Sequence, residues 1–405
     1  MDNPQILAAA QQYGTPTFVF DEVMLASRMR EIKSIVGKNV RLCYSIKANP
    51  FLLPAMSKLT EKLEVCSPGE MEICMDCKVA PETVLVSGVN KTLQDILDAV
   101  DYGVRDFTAE SPLHVQLLEE AAALRGVTLQ VLLRLTAGTQ FGMDESDLRA
   151  AIERRETTPH LDIVGIHYFA GTQRKKLTEQ RKEIAEIIAL CDALKAEYGF
   201  EVKKLEYGPG LYYPYFIHED STDTLVPIRE LAPDLIALGE RFDLTVEMGR
   251  FFVSECGYYL TAVADAKTNK GSRYAILDGG MHHVNYLGSN MGMRVPHILH
   301  FPGKNHAQGD PEDVMLCGSL CTTADVLVRK ANLPPLAVGD VLCFTRIGAY
   351  SVTEGPALFL SRNMPRILLH TASGDVLVRD TIHTSKLNQN QFNRHAAGGI
   401  TDKAL

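Results

Sequence analysis

At 405 residues, 46% of them hydrophobic and 22% charged, the chain exceeds one small domain, can bury a large core, and is neither disordered nor collagen-like. A net charge of −9, with no basic cluster longer than Arg174-Lys175-Lys176, argues against nucleic acid and anionic membrane as partners. No apolar stretch approaches bilayer-spanning length, the first residues carry no signal-peptide pattern, and nine cysteines, an odd number, read as reduced thiols; the expected location is cytoplasmic.

In chain order, residues 17–20 read as a strand ahead of the first long helical pattern. Eight short apolar or β-branched runs follow, at 40–45, 62–65, 83–86, 106–108, 129–135, 162–167, 203–207 and 244–247. Amphipathic segments such as 93–100 and 112–124 separate them, the second opened by Ser111 as N-cap and Pro112 at the first helical position. Eight strand–helix units predict a closed (β/α)8 barrel over residues 22–255. Beyond Gly257 the period becomes two, at 258–264, 274–277, 341–344 and 366–369, which predicts a mainly β domain built from residues 1–21 and 256–385. The polar segment 386–405, with Gly398-Gly399, is expected to be a loose tail.

A barrel concentrates chemistry in the loops after its strands, and the polar and glycine residues fall there. Lys47 follows the first strand, where a desolvated amine could act as a nucleophile toward an aldehyde. His167 to Thr172 offer an aromatic face and a hydroxyl. Gly208-Pro209-Gly210 brings backbone close to a phosphate-sized ligand, and Glu247-Met248-Gly249-Arg250 adds a carboxylate and a guanidinium. A lysine, a flat aromatic, a hydroxyl, a glycine loop, an arginine and a carboxylate on one rim are what pyridoxal 5'-phosphate requires. No metal site is expected: Cys74 and Cys77 lie in a helical pattern without a second cluster, and His282-His283 lacks a third ligand at helical spacing.

The same motifs resemble the fold-type III pyridoxal-phosphate decarboxylases of diaminopimelate, ornithine and arginine, over residues 15–385. Tyr44-Ser45-Ile46-Lys47-Ala48-Asn49 is similar to the family's lysine motif, Gly208-Pro209-Gly210 to its glycine loop, and Glu247-Met248-Gly249-Arg250 to its Glu-Pro-Gly-Arg. Gly318-Ser319-Leu320-Cys321 with Asp325 resembles its Gly-Pro-x-Cys motif, and Gly348-Ala349-Tyr350 its Gly-Ala-Tyr. A narrower likeness, through segments such as 140–146, 171–173, 278–283 and 320–322, is to the butirosin-pathway decarboxylases of carrier-protein-bound glutamate. Gly249-Arg250-Phe251 and Gly257-Tyr258-Tyr259 resemble the staphyloferrin-pathway decarboxylases.

The resemblance implies a homodimeric enzyme of secondary metabolism with shared sites. It would remove the α-carboxylate of an amino acid, one that is extended or linked to a carrier or conjugate. Lys47 would hold the cofactor and Glu247 would hydrogen-bond its pyridine nitrogen; Phe169 would stack on the ring. Gly208, Gly210, Gly249, Arg250, Thr172 and Tyr350 would bind it, largely at the phosphate, and Cys321 from a second subunit would be the proton donor. Arg134, His282, His283, Thr322 and Asp325 are the candidates for substrate contact.

Three departures stand out. Phe169 occupies the place of the stacking histidine, Pro209 removes one amide donor, and His282-His283 with Thr322 replace the elements that hold diaminopimelate. Decarboxylation of free diaminopimelate, lysine or ornithine is the alternative activity. An amino-acid racemase of the same fold would pair the pyridine nitrogen with arginine, which Glu247 argues against, and a non-catalytic pyridoxal-phosphate carrier would be a lone barrel.

Overall fold

The structure is a computed structural model and describes residues 1–286, 292–306 and 308–389. Most of the expected tail, from residue 390 onward, therefore lies outside the described residues. The described residues divide into two compact units, one within 21–257 with 348–350, the other within 1–20, 258–347 and 351–389.

Helix Asn3–Tyr13 opens the chain under a capping box in which Asp2 and Gln5 exchange hydrogen bonds, and strand β1 (Thr17–Asp21) follows. The first unit is then a closed parallel barrel of β2 (Val40–Ser45), β3 (Lys62–Val65), β4 (Val84–Val86), β5 (Asp106–Ala109), β6 (Leu129–Leu135), β7 (Leu161–Phe169), β8 (Lys204–Gly208) and β9 (Asp243–Met248). β9 closes the barrel on β2 with Tyr44 opposite Met248. The strands are short apolar runs buried on both faces, as a sheet wrapped by helices demands, with Val40, Leu63, Leu133, Ile166, Leu205 and Val246 in the core. Helix Pro112–Arg125 begins at Ser111, whose hydroxyl accepts from the His114 amide, and ends at Gly126 in the left-handed region.

The second unit is a β-sheet that adds β10 (Gly257–Asn269), β11 (Ser272–Leu277), β12 (Ile298–Phe301), β13 (Glu312–Cys317), β14 (Val326–Leu333), β15 (Val341–Thr345), β16 (Arg366–Thr371) and β17 (Gly374–Arg379). Its order is β14-β13-β11-β10-β1-β16-β17, with β15 pairing to β10 and β12. Phe18 and Tyr259 meet with ring centroids 4.9 Å apart at its centre.

Gly348–Tyr350 belong to the barrel unit, although the sequence assigns 256–385 to the β-domain. Main-chain bonding is the reason: the Gly348 amide donates to Ser254 O at 3.1 Å and the Tyr350 amide to Ala48 O at 2.6 Å. The Asn49 side chain donates to Gly348 O at 2.9 Å.

Candidate active site

Strand β2 delivers Lys47 by a short 3-10 turn, Ile46–Ala48. Tyr44 fixes that turn from below by donating its hydroxyl to Asn49 O at 2.9 Å. The Lys47 ammonium donates to Glu64 Oε2 at 3.0 Å and lies 3.4 Å from Cys66 Sγ. Surrounding protein disfavours the charged amine, but Glu64, Cys66 and Glu247 outweigh that and hold its pKa well above the ordinary lysine value.

Glu247, at the end of β9, is buried, accepts from Ser45 Oγ at 2.8 Å and lies 3.0 Å from His167 Nε2. Burial works against its carboxylate, yet the bond to His167 and the charge of Lys47 hold its pKa well below the usual range. Glu206 on β8 goes the opposite way: burial and the neighbouring Glu247 and Glu64 push its pKa well up. Buried carboxylates this close cannot all ionise, so Glu247 carries the charge and Glu206 keeps its proton.

Loops after β7, β8 and β9 complete the cleft, which is lined by Lys47, Phe169, Thr172, Gly210, Glu247, Gly249, Arg250 and Tyr350. Gly208 opposes Phe169 across β7 and β8, and a Cβ there would come 2.5 Å from the Phe169 ring. Gly210, at φ +59°, has no room for a side chain because the Gly171 carbonyl occupies that space. Arg174 donates its amide to Gly210 O at 2.9 Å, and Gln173 exchanges two bonds with the Tyr213 backbone, which together zip the loops. Arg250 stacks over the Tyr350 ring at 4.4 Å and donates to Tyr215 Oη at 3.1 Å.

Arg134, on β6 of the same unit, is held by Glu110 Oε1 at 2.5 Å and lies 4.9 Å over the Phe141 ring. Glu110 also accepts from the Gly142 amide at 2.9 Å, so the pair pins the loop between β6 and the next helix.

In the β unit, the remaining candidates sit on two adjoining turns. Asp325 is buried, its carboxylate accepting from the amides of Met281 at 2.7 Å and Leu320 at 2.8 Å. It thereby ties the 279–281 turn to the turn that carries Cys321 and Thr322, both of which are exposed. His283 has both ring nitrogens engaged, Nδ1 with Tyr259 Oη at 2.8 Å and Nε2 with Asn363 O at 3.1 Å. His282 packs against it with the rings tilted by 43° and their centroids 3.8 Å apart, and borders a cavity of about 420 Å³ shared with Arg362, Asn363, Arg366 and Asp278. Burial pushes His282 down to about 4 and His283 to about 3, so both imidazoles are neutral.

Motif reading passes over Glu64 and Glu206, and it names His167 only as the start of the 167–172 segment, without its bond to Glu247. The signal was present as charged or titratable residues inside otherwise apolar strands, which burial makes costly unless they are paired.

The chain matches the family described as pyridoxal-dependent decarboxylase, pyridoxal binding domain, over residues 23–254. It belongs to the pyridoxal-dependent decarboxylases. It is a pyridoxal-phosphate-dependent amino-acid decarboxylase, and pyridoxal 5'-phosphate is its cofactor. Among curated relatives, the L-glutamyl-[BtrI acyl-carrier protein] decarboxylase of Niallia circulans is 27% identical, with 94% of each chain covered. The 2-[(L-alanin-3-ylcarbamoyl)methyl]-2-hydroxybutanedioate decarboxylase of Staphylococcus aureus is also 27% identical, over 89% of this chain and 96% of its own. In fold, the chain is similar to the diaminopimelate decarboxylase of Methanocaldococcus jannaschii, with a TM-score of 0.83 at 24% identity over 94% and 93% of the two chains. Among the described residues, no helix is long and apolar enough to cross a membrane.

Proposed function

We propose that this decarboxylase acts on an amino acid whose side chain is extended or tethered to a carrier or conjugate. The observation that carries the chemistry is the Lys47 amine set 3.0 Å from Glu64 in a cleft whose floor holds an ionised, buried Glu247. The cleft fits pyridoxal phosphate. Its carboxylate is held by Ser45 and His167, its glycine-walled loops leave no room for side chains, and Arg250 stands beside them. When bound, the cofactor supplies the electron sink that lets the α-carboxylate leave as CO₂.

Lys47 would hold the cofactor through its amine at the mouth of the cleft. Glu247, its orientation fixed by Ser45 and His167, would hydrogen-bond the pyridine nitrogen and favour its protonated form. Phe169 at the end of β7, opposite Gly208 on β8, would present its ring as the stacking face, and Gly210, Thr172, Gly249, Arg250 and Tyr350 would bind the phosphate. Cys321, contributed by a second copy of the chain, would be the proton donor. Asp325 braces the turn that presents Cys321 and Thr322, and His283 braces His282. A cytoplasmic homodimer is part of the same reading; nine cysteines outside any disulfide suit a reducing compartment.

The substrate class rests on what stands at the distal end. His282-His283 and Thr322 take the place of the groups that grip diaminopimelate, His282 and His283 are neutral, and Arg134 is already paired with Glu110. The relatives that act on a carrier-bound glutamyl group and on a carbamoyl-linked alanine derivative support the same class. The test is CO₂ release by the cofactor-loaded enzyme, comparing a glutamyl phosphopantetheine thioester and a citryl-diaminopropionate conjugate with free glutamate, diaminopimelate, lysine and ornithine. Turnover of a tethered substrate at least 10²-fold more efficient than of any free amino acid is expected. Preference for free diaminopimelate or lysine would overturn the substrate class.

A further inference from the structure

Apart from the barrel cleft, the β unit gathers a second constellation of ligand-type side chains: His300, His306 and Asp340. His300 lies on β12, His306 ends the turn that follows it, and Asp340 ends the turn that leads into β15. β12 and β15 are antiparallel neighbours, with His300 opposite Leu342. Three backbone segments, locked together by ladder and turn bonds, therefore converge on one point.

Asp340 is fully buried and already satisfied by main chain. Oδ1 accepts from the Gly303 amide at 2.7 Å and Oδ2 from the Ala337 amide at 3.1 Å. Those bonds hold its pKa below the ordinary aspartate value against the opposing effect of burial. Nonetheless both imidazoles also point at Oδ2, His300 Nε2 at 2.9 Å and His306 Nδ1 at 3.2 Å. Three donors on one carboxylate oxygen exceed what a turn-capping aspartate needs.

The three ligand atoms lie within 4.8 Å of one another. A tetrahedral divalent ion with bonds of about 2.0–2.1 Å sets its ligand atoms about 3.4 Å apart, so the O···N separations of 2.9 and 3.2 Å need to open by only a few tenths of an ångström. The backbone amides would then be the outer-shell partners that orient the carboxylate. Two nitrogens and one carboxylate oxygen suit a borderline ion such as Zn²⁺ or Co²⁺, not Mg²⁺ or Ca²⁺.

We propose that His300, His306 and Asp340 bind one divalent transition-metal ion, with a fourth position left to water. Such an ion would clamp the 303–306 turn to the β15 entry turn. Each imidazole would turn a nitrogen lone pair to the ion in place of the N–H it now offers Asp340.

The test uses untagged, chelator-washed enzyme loaded with pyridoxal phosphate and titrated with Co²⁺, followed by the visible band of tetrahedral Co²⁺ and by metal content after dialysis. One Co²⁺ per chain is expected, displaced by Zn²⁺, with a higher melting temperature in the metal-bound form. His306→Gln and His300→Ala should each lose the band and the thermal shift while His370→Ala, remote in sequence and paired with Asp375, keeps both. Far-ultraviolet circular dichroism of His306→Gln confirms that it folds. Failure of the wild type to take up Co²⁺, or an unchanged band in both ligand variants, overturns the proposal.

Discussion

Replacing Glu64 by glutamine removes one charge from beside Lys47 while keeping an acceptor in place. At 3.0 Å, two unit charges at an effective dielectric of about 20 attract by about 5.5 kcal/mol. The Lys47 side chain is 42% exposed, so solvent screens much of this, and the glutamine carbonyl retains a hydrogen bond. A residual loss of about 1.5–3 kcal/mol corresponds to a fall of one to two units in the amine's pKa. Glu247 and Cys66 still favour the ammonium, so the pKa should fall rather than collapse. Capture of the cofactor aldehyde requires the free amine, and so reports that pKa directly. Apo enzyme mixed with pyridoxal phosphate across a pH series should show the half-maximal capture rate one to two pH units lower in Glu64→Gln than in wild type. A midpoint that stays put or rises would refute the reasoning that Glu64 sets the protonation of Lys47.

Cys321→Ala should reduce kcat by about 10²- to 10⁴-fold with little change in cofactor affinity, if the thiol is the proton donor, which product analysis in D₂O would check. Glu110→Gln leaves the buried Arg134 guanidinium without its charge partner and should cost about 3–5 kcal/mol, read from denaturant unfolding. His282 and His283 have folded-state pKa values near 4 and 3, below the unfolded value, so unfolding takes up protons as pH falls from about 6.5 to 4. Their contribution is fully present above about pH 6.5. Below it, unfolding free energy should drop by up to about 2.7 kcal/mol per pH unit, and a His282→Asn, His283→Asn double variant should flatten that slope.

Barrel order was legible because each β strand is a short apolar run followed at once by polar and glycine residues, as with Val40–Ser45 running into Lys47. The same alternation located Gly210, Glu247 and Arg250, since barrel chemistry sits at strand ends. Sequence pattern was less informative in the β unit. Val326–Leu333 carries Arg329 and Lys330 in its middle, and Gly374–Arg379 pairs only with β16 in the sheet and exposes Val376, Leu377 and Val378, so neither shows a clean period of two. Helix Asn3–Tyr13 was passed over although Asp2 and Gln5 spell a capping box and Pro4 sits in the first turn. Glu64 and Glu206 stand out in the sequence as charges inside apolar strands, but their tie to Glu247 follows only from barrel closure, which brings the β3 and β8 carboxylates within its electrostatic reach.

The most direct test of the account is to reduce the cofactor-loaded enzyme with borohydride, digest it, and map the pyridoxyl adduct by mass spectrometry. The peptide containing Lys47 should carry one phosphopyridoxyl group, and Lys47→Ala should carry none and release no CO₂ from any substrate. An adduct on another lysine, such as the buried Lys91 whose pKa burial lowers to about 8, with Lys47 unmodified, would contradict the assignment of Lys47 and Glu247 as the centre of the site.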